Sequence, residues 1–69
     1  MAGRWIVKRI EMDRVTDGPL LPYTKFRIVQ RTGIFGYGGT FTDTEPRVVL
    51  EDGLLLNDAK VRVKYWRNR

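Results

Sequence analysis

The chain has 69 residues, 13 Lys or Arg against 8 Asp or Glu, a formal net charge of +5, and no cysteine, histidine or serine. Those absences remove disulfide staples, soft metal ligands, the usual nucleophiles and the commonest general base, so no cofactor, no metal site and no enzyme activity are expected. One domain of this length buries only about 60% of the surface its unfolded chain exposes, so it depends on tight packing, on oligomerisation or on docking into a larger assembly.

The first segment, Arg4 to Val15, reads as a strand. Ile6, Ile10 and Met12 share one parity, and Trp5, Val7 and Val15 the other. The alternation blurs before Arg9, which suggests a bulge near Lys8-Arg9. Thr16-Asp17-Gly18-Pro19 is a turn by composition, and Leu20-Leu21 lies extended before Pro22, either capping the core or forming an exposed contact.

A second strand spans Tyr23 to Arg31, with Phe26 and Ile28 on one side and Lys25, Arg27 and Arg31 on the other. The glycine-rich run Thr32 to Thr42 suggests a sharply bent strand or a hairpin turning near Gly38-Gly39. It lacks the lysine of a phosphate loop, and no helix pattern follows it. Its Gly33-Ile34-Phe35-Gly36 spacing matches a backbone-clamping loop only in number, because the middle residues are apolar.

Asp43-Thr44-Glu45-Pro46 is an acidic loop, and Arg47 to Glu51 a short strand. Asp52-Gly53 then gives the strongest hairpin signal in the chain, since a type I′ turn needs positive φ. Leu54 to Leu56 is apolar but short, and Asn57-Asp58 reads as a second tight turn. The last segment, Ala59 to Arg69, alternates: Ala59, Val61, Val63 and Tyr65 fall on one side, Lys60, Arg62, Lys64 and Trp66 on the other, with Arg67 and Arg69 following. It reads as a half-buried strand with a cationic and aromatic outer face.

Short strands with turns every 8–12 residues predict an all-β domain. The expected architecture is a small antiparallel barrel or sandwich of five to six strands, SH3-like or OB-like. A sheet with one short helix is the alternative.

The charge is segregated. Residues 1–39 carry net +4, residues 40–58 net −4 and residues 59–69 net +5. Such a balance favours nucleic acid or an acidic protein surface as partner, although it also serves solubility. The acids Asp43, Glu45, Glu51 and Asp52 sit in turns, where solvated carboxylates are the ordinary use. The candidate nucleic-acid surface is Lys60, Arg62, Lys64, Trp66 and Arg67, joined by Lys25, Arg27 and Tyr23, with Arg4 and Trp5 added where the terminal strands pair. Cations track phosphates there, and each base stacked on an aromatic ring contributes roughly 1–3 kcal/mol. The competing expectation is a structural or interaction protein, such as a virion or assembly subunit or a small inhibitor of a larger complex, with a homo-oligomer as one form. No apolar run approaches the ~18 residues of a membrane helix, and the start of the chain does not match a signal peptide. A soluble, cytoplasmic or virion-associated protein is expected.

Overall fold

The computed structural model describes residues 5–69. Four strands form a single antiparallel sheet: β1 (Trp5–Arg14), β2 (Phe26–Phe35), β3 (Phe41–Asp43) and β4 (Val48–Leu54). The chain ends in a helix, α1 (Leu56–Arg67). β2 is central. It pairs along its whole length with β1, from Trp5 opposite Phe35 to Arg14 opposite Phe26. Its other side is shared, with β3 beside Gly33 to Phe35 and β4 beside Phe26 to Gln30.

The domain is therefore mostly β, as its strand pattern predicts, but the sheet stays open and does not close into a barrel. The β1–β2 ladder is unbroken through Lys8 and Arg9, so the expected bulge there is absent. β2 absorbs Thr32 to Phe35, and the predicted reversal near Gly38-Gly39 lies in the 3-10 turn that brings Phe41 opposite Phe35. Asp52-Gly53 is not a hairpin turn. β4 runs through it, and the ladder with β2 shifts register there. Gly53 has φ +71°, and its amide donates to Asp52 Oδ1 at 2.7 Å. A bulge closed by a left-handed glycine needs the same Asp-Gly chemistry as the turn, so the local signal was ambiguous.

The larger difference is at the C-terminus, where Leu56–Arg67 is helical and the expected turn at Asn57-Asp58 lies in its first turn. Two periods coexist in this segment. Val61, Val63 and Tyr65 alternate, while Leu56, Ala59, Val63 and Trp66 recur at three to four residues. The second pattern wins because it packs onto the sheet: Ala59 and Val63 are buried with Phe26 and Ile28, and Ile10, Met12, Leu50, Leu54, Leu56 and Trp66 close round them. Val61, which a strand would have buried beside Val63, is 66% exposed, against 5% for Val63. Ala, Lys and Arg favour helix intrinsically. Asp58 in the first turn and Lys64 and Arg67 in the last complement the helix dipole.

Only one face of the sheet is covered by α1. Each paired residue shares a face with its partner, so Ile10, Met12, Phe26 and Ile28 lie under the helix. Arg9, Glu11, Asp13, Arg27 and Arg31 lie on the other face. Ile28, with 0% exposure, is the centre of the core. Leu20 and Leu21 do not enter it. Both are exposed, and Leu21 and Pro22 instead line an open groove of about 420 Å³ with Leu55, Leu56, Asn57 and Asp58.

Candidate nucleic-acid interface

The eight residues expected to form one basic and aromatic surface are distributed over several. A helix turns each residue by about 100°, so neighbours two apart no longer share a side. Lys60, Lys64 and Arg67, spaced four and three apart, form one flank of α1. Arg62 falls on the opposite flank.

The two flanks are tied to opposite parts of the sheet. Arg62 Nε donates to Glu51 Oε2 of β4 at 2.6 Å, and its guanidinium lies 4.4 Å from the centre of the Tyr65 ring. Trp66 is turned inward against the core, and its indole N–H donates to the same Glu51 oxygen at 2.6 Å. It is therefore not a stacking platform on the cationic side. These two donors, Trp66 first and Arg62 second, hold the Glu51 carboxyl below its ordinary value by favouring the charged form. On the other flank, Arg67 Nε donates to the Ile10 carbonyl of β1 at 3.0 Å. The Lys60–Lys64–Arg67 flank therefore runs beside β1.

The remaining predicted residues lie elsewhere. Tyr23, 70% exposed, and the exposed Lys25 precede β2. Arg27 is on the uncovered face, with Nε 3.8 Å from Asp52 Oδ1 and without a hydrogen-bond partner. Trp5 is on that uncovered face too, opposite Phe35, and 72% exposed. Arg4 lies outside the described residues. The expected patch of Lys25, Arg27, Lys60, Arg62 and Lys64 is therefore not one surface.

On the uncovered face three carboxylates, Glu11, Asp13 and Asp43, are paired with arginines. Arg31 bridges Glu11 at 3.1 Å and Asp43 at 3.0 Å. Arg9 reaches Glu11 at 3.3 Å, and Arg47 reaches Asp13 at 3.5 Å and Asp43 at 3.7 Å. The Arg31 guanidinium holds the Asp43 carboxyl below its ordinary value, chiefly through their hydrogen bonds. Arg9 and Arg31 also stand over the Phe41 ring, at 5.4 and 4.8 Å from its centre. The ring is seated on Gly33, where an added Cβ would lie 2.2 Å from the Thr42 carbonyl oxygen and 2.8 Å from the Phe41 ring. Gly33 is thus a close-approach position between β2 and β3, a packing use of the glycine run.

What remains is a residue of unpaired positive charge. Among the described residues, the ion pairs involve Arg9, Arg27, Arg31, Arg47 and Arg62 and leave out Lys8, Arg14, Lys25, Lys60, Lys64, Arg67 and Arg69. Lys8 and Arg14 share the helix-side parity of β1 with Ile10 and Met12. They therefore flank the strip that Lys60, Lys64 and Arg67 border, giving a ledge of five cations between the helix and the sheet edge. Arg14 also donates to the Gly18 carbonyl. Lys8 and Arg14 were legible as basic residues, but their membership of this ledge depends on the helix.

Compared with protein families, curated proteins and solved structures, the chain shows no significant match.

Proposed function

We propose that this chain is a non-enzymatic binding module that holds a nucleic-acid backbone along the ledge between β1 and α1. The observation that carries this reading is the grouping of Lys8, Arg14, Lys60, Lys64 and Arg67 without a carboxylate partner, while Glu11, Asp13 and Asp43 are neutralised on the opposite face. Lys and Arg lining one strip act on phosphates and release counterions whatever the base sequence. With Trp66 half-buried against the core and hydrogen-bonded to Glu51, base stacking does not contribute on this ledge, so the expected binding is electrostatic and sequence-tolerant.

Titration of a labelled single-stranded oligonucleotide at several salt concentrations tests it. Five phosphate contacts imply a log–log salt slope of about −3.5 for a single strand, or a loss of about 100-fold between ~50 and ~200 mM salt. Lys60→Gln with Lys64→Gln should reduce the slope by about 1.4. No binding at low salt, or an unchanged slope in the double variant, overturns the reading.

The exposed Leu21 and Leu55 on the open groove, with the exposed Leu20 beside Leu21 in the chain, favour a second reading, an interaction or assembly subunit. Pull-down with Leu21→Asp against wild type separates the two, because this variant leaves the ledge untouched. Loss of a partner in the variant supports the second reading, and equal capture of the same partner counts against it.

A further inference from the structure

Among the described residues, β1 has a partner on one side only. Antiparallel strands alternate between residues whose peptide groups point at the neighbour and residues whose peptide groups point away. The Val15 amide donates to the Lys25 carbonyl, continuing the β1–β2 ladder, so the odd-numbered residues of β1 bond to β2. The even-numbered set, Lys8, Ile10, Met12 and Arg14, must then present its N–H and C=O groups at the free edge. The Ile10 carbonyl confirms this independently, because it accepts from Arg67, a residue outside the sheet. An exposed edge of this kind is a template for another strand.

The sequence of β1 selects one register for a second copy. Pairing β1 antiparallel to itself about Ile10 sets Arg9 opposite Glu11 twice, Ile10 opposite Ile10, and Lys8 opposite Met12. Centring on Arg9 sets Arg9 against Arg9. Centring on Glu11 sets Glu11 against Glu11 and Lys8 against Arg14. Like charges directly opposite destabilise a pair. Of the registers that put two outward-pointing residues on the symmetry axis, centring on Lys8 sets Lys8 against Lys8 and centring on Met12 sets Glu11 against Asp13, so the one about Ile10 is free of like-charge pairs.

One feature opposes the pairing. A two-fold axis normal to the sheet puts both helices on the same side, with the Lys60–Lys64–Arg67 flanks facing each other, and Arg67 already occupies the Ile10 carbonyl. We infer that β1 is a self-pairing edge, docking a second copy of this chain about Ile10, and that the cationic flank of α1 keeps it open until that charge is removed or screened. This goes beyond the nucleic-acid reading and does not rest on it.

The test measures mass by light scattering, and amide exchange by NMR, on the full chain at a fixed protein concentration. Wild type at low salt should be a monomer in which the Lys8, Ile10 and Met12 amides exchange freely. Wild type in about 1 M salt, where the Debye length is about 3 Å, and the Lys60→Gln, Lys64→Gln, Arg67→Gln variant at low salt should both double in mass. In both dimers exchange at those three amides should slow, by about tenfold or more, while β2 amides are unaffected. Circular dichroism first establishes that the variant is folded; salt acts on the unmodified protein, so a folding failure of the variant leaves the test intact. Monomers under both conditions overturn the inference, as does association without protection of the three β1 amides.

Discussion

Val61 and Val63 are identical side chains two residues apart, and the helix makes opposite predictions for them. Val63 is 5% exposed against Phe26 and Ile28, while Val61 is 66% exposed. Val63→Ala deletes two buried methyl groups. At about 0.8 kcal/mol per buried carbon this costs about 1.6 kcal/mol in transfer alone, and a residual cavity raises it to about 2–3 kcal/mol. Val61→Ala removes nothing from the core and exchanges a β-branched residue for the best helix former, a change worth from zero to about 0.7 kcal/mol in favour of the fold. A single core of this size supplies about 3–5 kcal/mol in total, so Val63→Ala should remove about half of it or more. Urea unfolding followed by circular dichroism measures both, with equal m-values as the condition for comparing them. Equal losses in the two variants, as a strand burying both valines requires, would refute the helical packing.

Three further outcomes follow from contacts in the sheet. Gly33→Ala drives a Cβ to 2.2 Å from the Thr42 carbonyl, so β3 must move. The expected cost is about 1–3 kcal/mol, with the Thr44 amide, bonded to the Thr32 carbonyl, losing exchange protection while the β1–β2 ladder keeps its own. Protection of Thr44 unchanged from wild type counts against the close approach. Ile28→Ala, at the only large side chain buried to 0% exposure among the described residues, should cost about 2–5 kcal/mol and abolish cooperative unfolding. A sigmoidal melt close to wild type would contradict its central place. Glu51 has its carboxyl depressed below the ordinary value by Trp66 and Arg62, so its contribution is present above that ordinary value of 4.5 and disappears as pH falls through the lower folded-state value. Melting temperature recorded from pH 6 down to about 2 should therefore fall less steeply on the acid side in Glu51→Gln than in wild type. Parallel acid limbs refute the assignment.

The sheet was largely legible and the helix was not. In the middle of the chain the period of two had one outlet: Phe26 and Ile28 could be buried together only by a strand, and β2 is that strand. Ala59 to Trp66 satisfied two periods at once, and local pattern cannot choose between them. The choice was made by what lay beneath. Ala59, the smallest apolar residue in the segment, allows α1 to approach the sheet over Ile28. A signal was present in Leu56, Ala59, Val63 and Trp66, with Asp58 ahead of the cations, but the N-terminus of the helix carries no Ser, Thr, Asp or Asn cap to announce it; Leu55 stands there. The site inherited the same error. Lys60, Lys64 and Arg67 share one flank of α1. Arg62 and Trp66 were separated from them because their side chains close the helix onto Glu51.

The cationic flank stands at the meeting point of both proposed roles, and this gives a final, stricter outcome. If the flank both holds a phosphate backbone and keeps two β1 edges apart, then a bound oligonucleotide should do what 1 M salt does. Phosphates on Lys60 and Lys64 cancel the charge that two copies would otherwise press together. An oligonucleotide long enough to span two ledges should therefore bring two chains to each strand cooperatively, with the Lys8 and Met12 amides protected in the complex. Independent binding, with a 1:1 complex at half saturation and those amides still exchanging freely, would mean that the ledge reads phosphate without releasing the edge. The Arg67 guanidinium is the side chain on which the distinction turns, since the same group can meet a phosphate or the Ile10 carbonyl, and only its departure from the second frees the strand.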